Sequence, residues 1–475
     1  MKDLLRRFEA RLAAVRLPSR PVCATLVVLC LAFGALLGHV TRAIPARDAH
    51  PTIELREPSA QTAKLPQTSP AAPTPSSEAE AGEEPKGKDS SGAGGKAAGQ
   101  AKSDAADKSQ QGSGPQEESK PAKLPAIKHV FLIVLDDAAY AEVFGPESKS
   151  RYVTHTLEGK GELLERYYAI AHQQLADGIA LISGQGPTEQ TEGDCATYAE
   201  ISPAGSASEE QVTGDGCVYP SSVNTIASQL SAKHLAWKAY VQAIGDGGSE
   251  ASSSCYHPAL GAADPTAALG LPGASPTAGS VASATFRNPF VYFRSVIDSP
   301  ACKADVVGIE GLGSDLRSPS HTPNLSYIVP DLCDDGSTRP CAPGKQDGML
   351  AAEGFLREVV SEILSSKAYK QNGLLAITAD EAPTTGEYAD SSSCCDQPSF
   401  PNIHASPAPT AGNGGGEVGA LLLSPFIKGG KISQETYNHF SMLRTIEDIF
   451  GLSHLGYAAL SGVSSLSPSL FAASG

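Results

Sequence analysis

From Ile127 onward the chain alternates between two hydrophobic patterns. The first is the short continuous run. His129-Val-Phe-Leu-Ile-Val-Leu135 is apolar after its histidine and rich in β-branched residues, which predicts a strand buried on both faces, as in a parallel sheet. Similar runs recur at Leu374–Thr378 and Val418–Leu423. The second pattern has helical spacing. Phe355, Leu356, Val359, Val360, Ile363 and Leu364 fall on one helical stripe, and so do Phe440, Leu443, Ile446 and Phe450. Strands alternating with helices predict an α/β sandwich. Pro- and Gly-rich loops dominate residues 185–285, which reads as long insertions over the working edge of the sheet. No internal repeat is evident.

Upstream of Ile127 the pattern changes. Residues 44–126 contain no Phe, Trp or Tyr and are rich in Ala, Pro, Ser, Gly, Glu and Lys. Such a stretch cannot bury enough apolar surface to offset its ordering entropy, so residues 41–126 read as a disordered stalk. Residues 22–40 are apolar and uncharged with His39 neutral, and about 20 such residues suffice to cross a bilayer. Residues 1–21 carry six basic side chains against Asp3 and Glu9, a net +4. Positive charge before an apolar span places the N-terminus in the cytoplasm. The expectation is a single-pass signal-anchor with residues 127–475 as an extracytoplasmic domain. The alternative is a cleaved signal peptide and a secreted product, although Ala43-Ile44-Pro45-Ala46 is a poor cleavage site.

Charge and cysteines extend this picture. The net charge of -16 argues against a nucleic-acid partner. Cys23 and Cys30 lie in the apolar span; Cys195, Cys217, Cys255, Cys302, Cys333, Cys341, Cys394 and Cys395 lie beyond it. An even number in an exported domain reads as disulfides. Cys195–Cys217 and Cys333–Cys341 are the expected local pairs, and Cys394 and Cys395 are expected to reach two different partners.

Two acidic pairs stand directly after apolar strands: Asp136-Asp137 and Asp380-Glu381. In open parallel sheets ligands bind at the carboxyl ends of strands. Carboxylates gathered there repel unless a cation or protons intervene, and hard divalent cations take carboxylate oxygens. The plainer reading is that acidic residues follow strands as helix caps. Spacing alone leaves the two even.

Ordered motifs add to this reading. Ile127-Lys-His-Val-Phe-Leu-Ile-Val-Leu135 with its acidic pair is followed by Gly161-Glu-Leu-Leu164, Tyr167-Tyr168-Ala169 and Ala180-Leu-Ile-Ser-Gly-Gln185. Next come Gly216-Cys217-Val-Tyr-Pro220, Trp237-Lys-Ala-Tyr240 and Asn288-Pro-Phe-Val-Tyr-Phe293. Asp380-Glu381, Cys394-Cys395, Gly414-Gly-Gly416, Gly419-Ala-Leu-Leu-Leu-Ser-Pro425, Tyr437-Asn-His-Phe-Ser441 and Phe450-Gly451-Leu452 complete the set. In this order, over about residues 127–458, they resemble the phosphoesterase family of acid phosphatases and phospholipase C-like enzymes. The resemblance implies an alkaline-phosphatase-like three-layer sandwich with a mostly parallel sheet and helices on both faces. It also implies a divalent metal ion, a Ser or Thr nucleophile, and a phosphate-ester small molecule or phospholipid as substrate.

The departures are concentrated in the implied site. The family's Glu-Asn-His-Ser opening is Asp136-Asp137-Ala138-Ala139 here, so the implied metal ligands become Asp136, Asp137, Asp380 and Glu381. The nucleophilic Ser position is Gln174, in Ala171-His172-Gln173-Gln174-Leu175-Ala176-Asp177-Gly178. A carboxamide cannot form the covalent phosphoenzyme intermediate. The family's Asp-Gly-His is Asp335-Gly336-Ser337, and Arg287 replaces the His before Asn-Pro-Phe. Asp335 and His439 are retained, although Asp335 also suits a turn and His439 also suits a helix cap. His172 reads as structural and Trp237 as core. The implied function is a metal-dependent phosphoesterase with impaired catalysis. The alternatives are a pseudoenzyme that binds a ligand or envelope partner, and a structural envelope protein.

The tether generates the first prediction. The full chain is expected to stay in the membrane fraction after high-salt washing. A mature N-terminus near Ala46 would instead show cleavage of a signal peptide.

Overall fold

The computed structural model describes residues 124–244, 254–269, 284–339, 348–403 and 414–471. The basic segment, the apolar span, nearly all of the stalk and Cys341 lie outside the described residues. No described helix is long and apolar enough to cross a membrane.

Eight strands form the central sheet: β1 (His129–Leu135), β2 (Glu162–Leu164), β3 (Trp237–Val241), β4 (Val306–Gly308), β5 (Leu325–Val329), β6 (Gly373–Ala379), β7 (Ala420–Leu423) and β8 (Lys431–Ser433). Their order across the sheet is β8-β2-β7-β6-β1-β5-β3-β4. Every residue of β1, β5, β6 and β7 is buried, as continuous apolar runs require. The strand pairings leave β7 as the strand running against the others. The Val418–Leu423 run therefore forms a strand as expected, but an antiparallel one. Burial on both faces produces the same run in either direction.

Register is what matters most for the site. β1 and β6 pair in parallel from His129 opposite Gly373 to Leu135 opposite Ala379. The next residues, Asp136 and Asp380, therefore leave the sheet side by side. A slip of one residue would exchange the two faces of a strand and move Asp136 out of line with Asp380.

The principal helices are α1 (Gln174–Ser183), α2 (Ile226–Ala232), α3 (Gly348–Ser365), α4 (Lys367–Asn372) and α5 (His439–Phe450). α1, α2 and α5 pack on one another, whereas α3 packs with α4, which rests on β1 and β6. The result is the three-layer α/β sandwich with a mostly parallel sheet. α1 is buried along its whole length and ends at Gly184 in the left-handed region (φ 69°), where glycine is favoured. α5 is capped by Asn438, whose Oδ1 accepts the Ser441 N–H at 3.0 Å. His439 is the first residue inside the helix and not its cap.

Residues 185–285 need a correction. The described part holds more than loops: it supplies α2 and β3, a strand inside the sheet. Lys238 interrupts the apolar pattern of β3, and its Nζ lies 2.6 Å from Asp315 Oδ2. Trp237 is in the core, stacked on Phe290 with centroids 5.0 Å apart.

Cys195 pairs with Cys217 as expected, and Cys255 pairs with Cys302. Cys333 is disulfide-bonded as well. Cys394 and Cys395 pair with each other, contrary to the expectation of two separate partners. The left-handed conformation of Cys395 and Asp396 (φ 64° and 52°) forms a tight turn there, and the other described cysteines are already bonded.

One glycine ties the loop between β6 and β7 to the segment just before α1. A Cβ on Gly415 would stand 2.0 Å from the Ala171 carbonyl oxygen, a backbone atom that cannot turn aside. Gly415→Ala is expected to destabilise the domain by about 1–3 kcal/mol, as overpacking does. The midpoint of urea unfolding measures this, and an unchanged midpoint would show that the loop yields freely.

Candidate functional site

The C-terminal edge of β1, β5 and β6 gathers most of the residues singled out in the sequence. Asp136 follows β1 and Asp380-Glu381 follow β6. Asp335 lies in the loop after β5, and its carbonyl accepts the Asp136 N–H at 2.8 Å. Gln174 opens α1. Arg287 ends the short 3-10 turn Thr285–Arg287. That turn packs against α1, and Pro289, two residues further on, comes so close that a Cβ on Gly178 would lie 3.1 Å from it. Asp136, Gln174, Arg287, Asp335, Ser337, Asp380, Glu381 and His439 are all buried.

An ion-pair network joins them. Arg287 Nη1 donates to Asp380 Oδ2 at 2.9 Å and to Gln174 Oε1 at 3.2 Å, and it lies 3.7 Å from Asp136 Oδ1. Its Nη2 donates to the Val134 carbonyl at 3.3 Å. Gln174 Nε2 and Arg339 Nη2 both donate to Asp136 Oδ2. Asp380 Oδ1 accepts the Glu381 N–H at 2.9 Å and the Asp137 N–H at 3.3 Å. The Ser337 N–H supports Asp335 by donating to its Oδ1 at 3.0 Å.

Burial pushes the carboxyls of Asp335, Asp380 and Glu381 well above the usual range, and the charge of Asp136 pushes further. The two arginines act in the opposite direction on Asp335 and Asp380, as Arg339 does on Glu381. Burial also opposes the charge of Arg287 and Arg339, but the surrounding carboxylates outweigh it and hold both above their ordinary value. Buried carboxyls, Asp194 among them, outnumber the two guanidinium groups, so the arginines alone do not balance the site. Asp137 stands apart. It sits at φ 43°, part-exposed, with its Oδ2 4.0 Å from Arg339 Nε. Burial, then Asp136, raises its carboxyl to about 7.

His439 holds the strand end from behind. Its Nε2 lies 2.8 Å from the Asp380 carbonyl and its Nδ1 lies 3.0 Å from the Tyr167 hydroxyl. A carbonyl only accepts, so Nε2 carries the proton and Nδ1 accepts from Tyr167. Burial pushes this imidazole down to about 4. Asp177 Oδ1, 3.5 Å from Nε2, belongs to a carboxyl that burial raises well above its ordinary value. It accepts the Ile170 N–H at 2.6 Å. His172 is held by the Ala382 carbonyl at 3.2 Å and Ser391 Oγ at 2.8 Å, a supporting role.

Oxygens of Asp136, Asp380 and Glu381 lie within 4.8 Å of one another, whereas Asp137 is outside this group. In kind, these donors suit a hard divalent cation. Asp136 Oδ1, buried without a hydrogen-bond donor, is consistent with that. The surroundings are not. Both oxygens of Asp380 and the second oxygen of Asp136 already accept hydrogen bonds, and the free oxygen faces the Arg287 guanidinium. As arranged, the pocket does not fit a metal beside that charge.

Sequence reasoning missed Arg339, Asp177 and Tyr167 as members of this network, and saw Arg287 only as a lost histidine. The signal was present for Arg339, a lone cation four residues after Asp335.

Residues 148–453, more than half of the chain, match the model of the Phosphoesterase family. No curated protein matches the sequence. Similar solved structures include a protein in the alkaline phosphatase superfamily from Vibrio parahaemolyticus, at 11% identity and TM-score 0.38, covering 70% of this chain and 68% of that one. The lipoteichoic acid synthase LtaP from Listeria monocytogenes gives 10% identity and TM-score 0.38, covering 70% and 74%. The PsFucS1 sulfatase from Pseudoalteromonas sp. gives 12% identity and TM-score 0.37, covering 73% and 72%. At such scores the likeness carries no inference.

The buried imidazole yields a prediction. The folded His439 titrates at about 4, below the ordinary value of about 6.5 for an unfolded chain. Between these values the unfolded state binds more protons, so this contribution to stability is present above pH 6.5 and is lost as the pH falls toward 4. Labelled-histidine NMR should show His439 neutral down to about pH 4. Protonation near the ordinary value would show that it is open to water.

Proposed function

The chain belongs to the Phosphoesterase family, and from that premise we propose that it is a catalytically impaired member, retaining the scaffold but not the covalent step. One observation carries this. Gln174 stands at the nucleophile position implied by the motifs, opening α1 beside the acidic strand ends, and its amide is tied to Asp136 and Arg287. An amide oxygen is a poor nucleophile, and no neighbouring base can turn it into an alkoxide-like one. Gln174 is also 2% exposed, so a substrate phosphorus would have to displace packed atoms to reach it. His439, a candidate acid or base, has both ring nitrogens committed.

This reading makes the domain a pseudoenzyme that binds a ligand or an envelope partner without turnover. It includes a location: an extracytoplasmic domain held by a single-pass N-terminal anchor. The disulfides among the described residues support an oxidising compartment.

A second reading is a metal-assisted hydrolase acting on a phosphate ester; it rests on the acidic donor set of Asp136, Asp380 and Glu381, and the Arg287 charge beside them counts against it. One experiment separates the two. The purified full chain, assayed on an aryl phosphate with Mn²⁺, Zn²⁺, Mg²⁺ or Ca²⁺, is expected to show no hydrolysis above the buffer rate. Robust metal-dependent hydrolysis, abolished by Asp380→Ala, would overturn the impaired reading in favour of the second.

A further inference from the structure

The charge balance of the acidic pocket points beyond the missing nucleophile. Asp136 and Asp380 leave adjacent parallel strands side by side and are buried, at 0% and 2% exposed. Two such carboxylates require a counter-charge between them. The chain supplies one. Arg287 Nη1 lies 2.9 Å from Asp380 Oδ2 and 3.7 Å from Asp136 Oδ1, so a single nitrogen bridges both acids. The same nitrogen donates to Gln174 Oε1. A carboxamide at this position can accept from the arginine and donate to Asp136 at once, so Gln174 completes the bridge instead of attacking a substrate.

We propose that Arg287, with Gln174 locking it in place, is a built-in cation that substitutes for a divalent metal ion, so that the domain is metal-independent. The proposal takes the identity of the pocket from the preceding reading and adds what fills it. Three features fit together. The guanidinium keeps its charge at any physiological pH, so the bridge is permanent. Its backbone ends a turn that packs on α1, and the next turn, from Pro289, packs on α1 as well, which limits the reach of the side chain. Arg339 adds a second cation on the far oxygen of Asp136. A metal entering here would compete for lone pairs already used and would meet like charge at contact distance.

The test is metal uptake and thermal stability of the full chain. Wild-type protein is expected to hold no stoichiometric Mn²⁺ or Zn²⁺ by elemental analysis after dialysis against either ion. Its Tm should move by less than about 1 °C with EDTA or millimolar metal, since an ion that does not bind the native state cannot stabilise it. Arg287→Gln strands the acids and should lower Tm by about 5–10 °C. Arg287→His removes the permanent charge and offers a ligand nitrogen, so it should gain metal uptake and a Tm that rises with added Mn²⁺ or Zn²⁺. Stoichiometric metal in the wild type, or a loss of Tm on EDTA treatment, overturns the proposal. The wild-type measurements decide the matter even where a variant fails to fold. Metal-loaded wild-type protein without turnover would remove this inference and leave the impaired-catalysis reading intact.

Discussion

Arg287 holds a guanidinium between Asp136 and Asp380 at about the depth where water no longer screens charge, and much of the site follows from that placement. Taking ions of this size out of water costs several kcal/mol each, and only close pairing with satisfied hydrogen bonds offsets it. The network meets this demand on most of its atoms. Asp380 uses both oxygens, Asp136 uses one fully, and Gln174 bridges acid and base through its two amide ends. Burial and the charge of Asp136 push the carboxyls of Asp335, Asp380 and Glu381 up, which favours protons where the arginines do not reach. A pocket balanced in this way has little reason to take up another cation, and its buried nucleophile position offers little room for a substrate.

The sheet makes this arrangement compulsory. β1 and β6 pair in parallel along their whole length, and their register delivers two acids to one point. His439 then grips the Asp380 backbone from the start of α5, and Asp177 grips the chain entering α1. On the proposed reading the scaffold is kept while the chemistry at its edge is altered.

How much of this could be read from sequence depended on the kind of signal. Continuous apolar runs marked β1, β6 and β7, and helical spacing marked α3 and α5, because burial on both faces and on one stripe leaves period-specific patterns. β3 was hidden by Lys238, whose charge is neutralised by Asp315 from a distant segment. Asp136, Asp380 and Glu381 were legible as acids at strand ends. Asp137 was not separable from Asp136, because only the backbone turn at φ 43° takes it away from the group. The role of Arg287 was the least visible, since a substitution in a motif reads as loss until the partners are seen. The Cys394–Cys395 pairing was missed for a similar reason: adjacent cysteines are rarely each other's partners, and the local turn that permits it is not written in the spacing.

The central claim concerns what lies between Asp136 and Asp380, and it can be observed directly. Crystals of the domain soaked in saturating Mn²⁺ and recorded at a wavelength sensitive to manganese would locate any bound ion. The account expects guanidinium density within hydrogen-bond distance of Asp380 Oδ2 and no anomalous peak among Asp136, Asp380 and Glu381. An anomalous peak there, with Arg287 swung away, would contradict it.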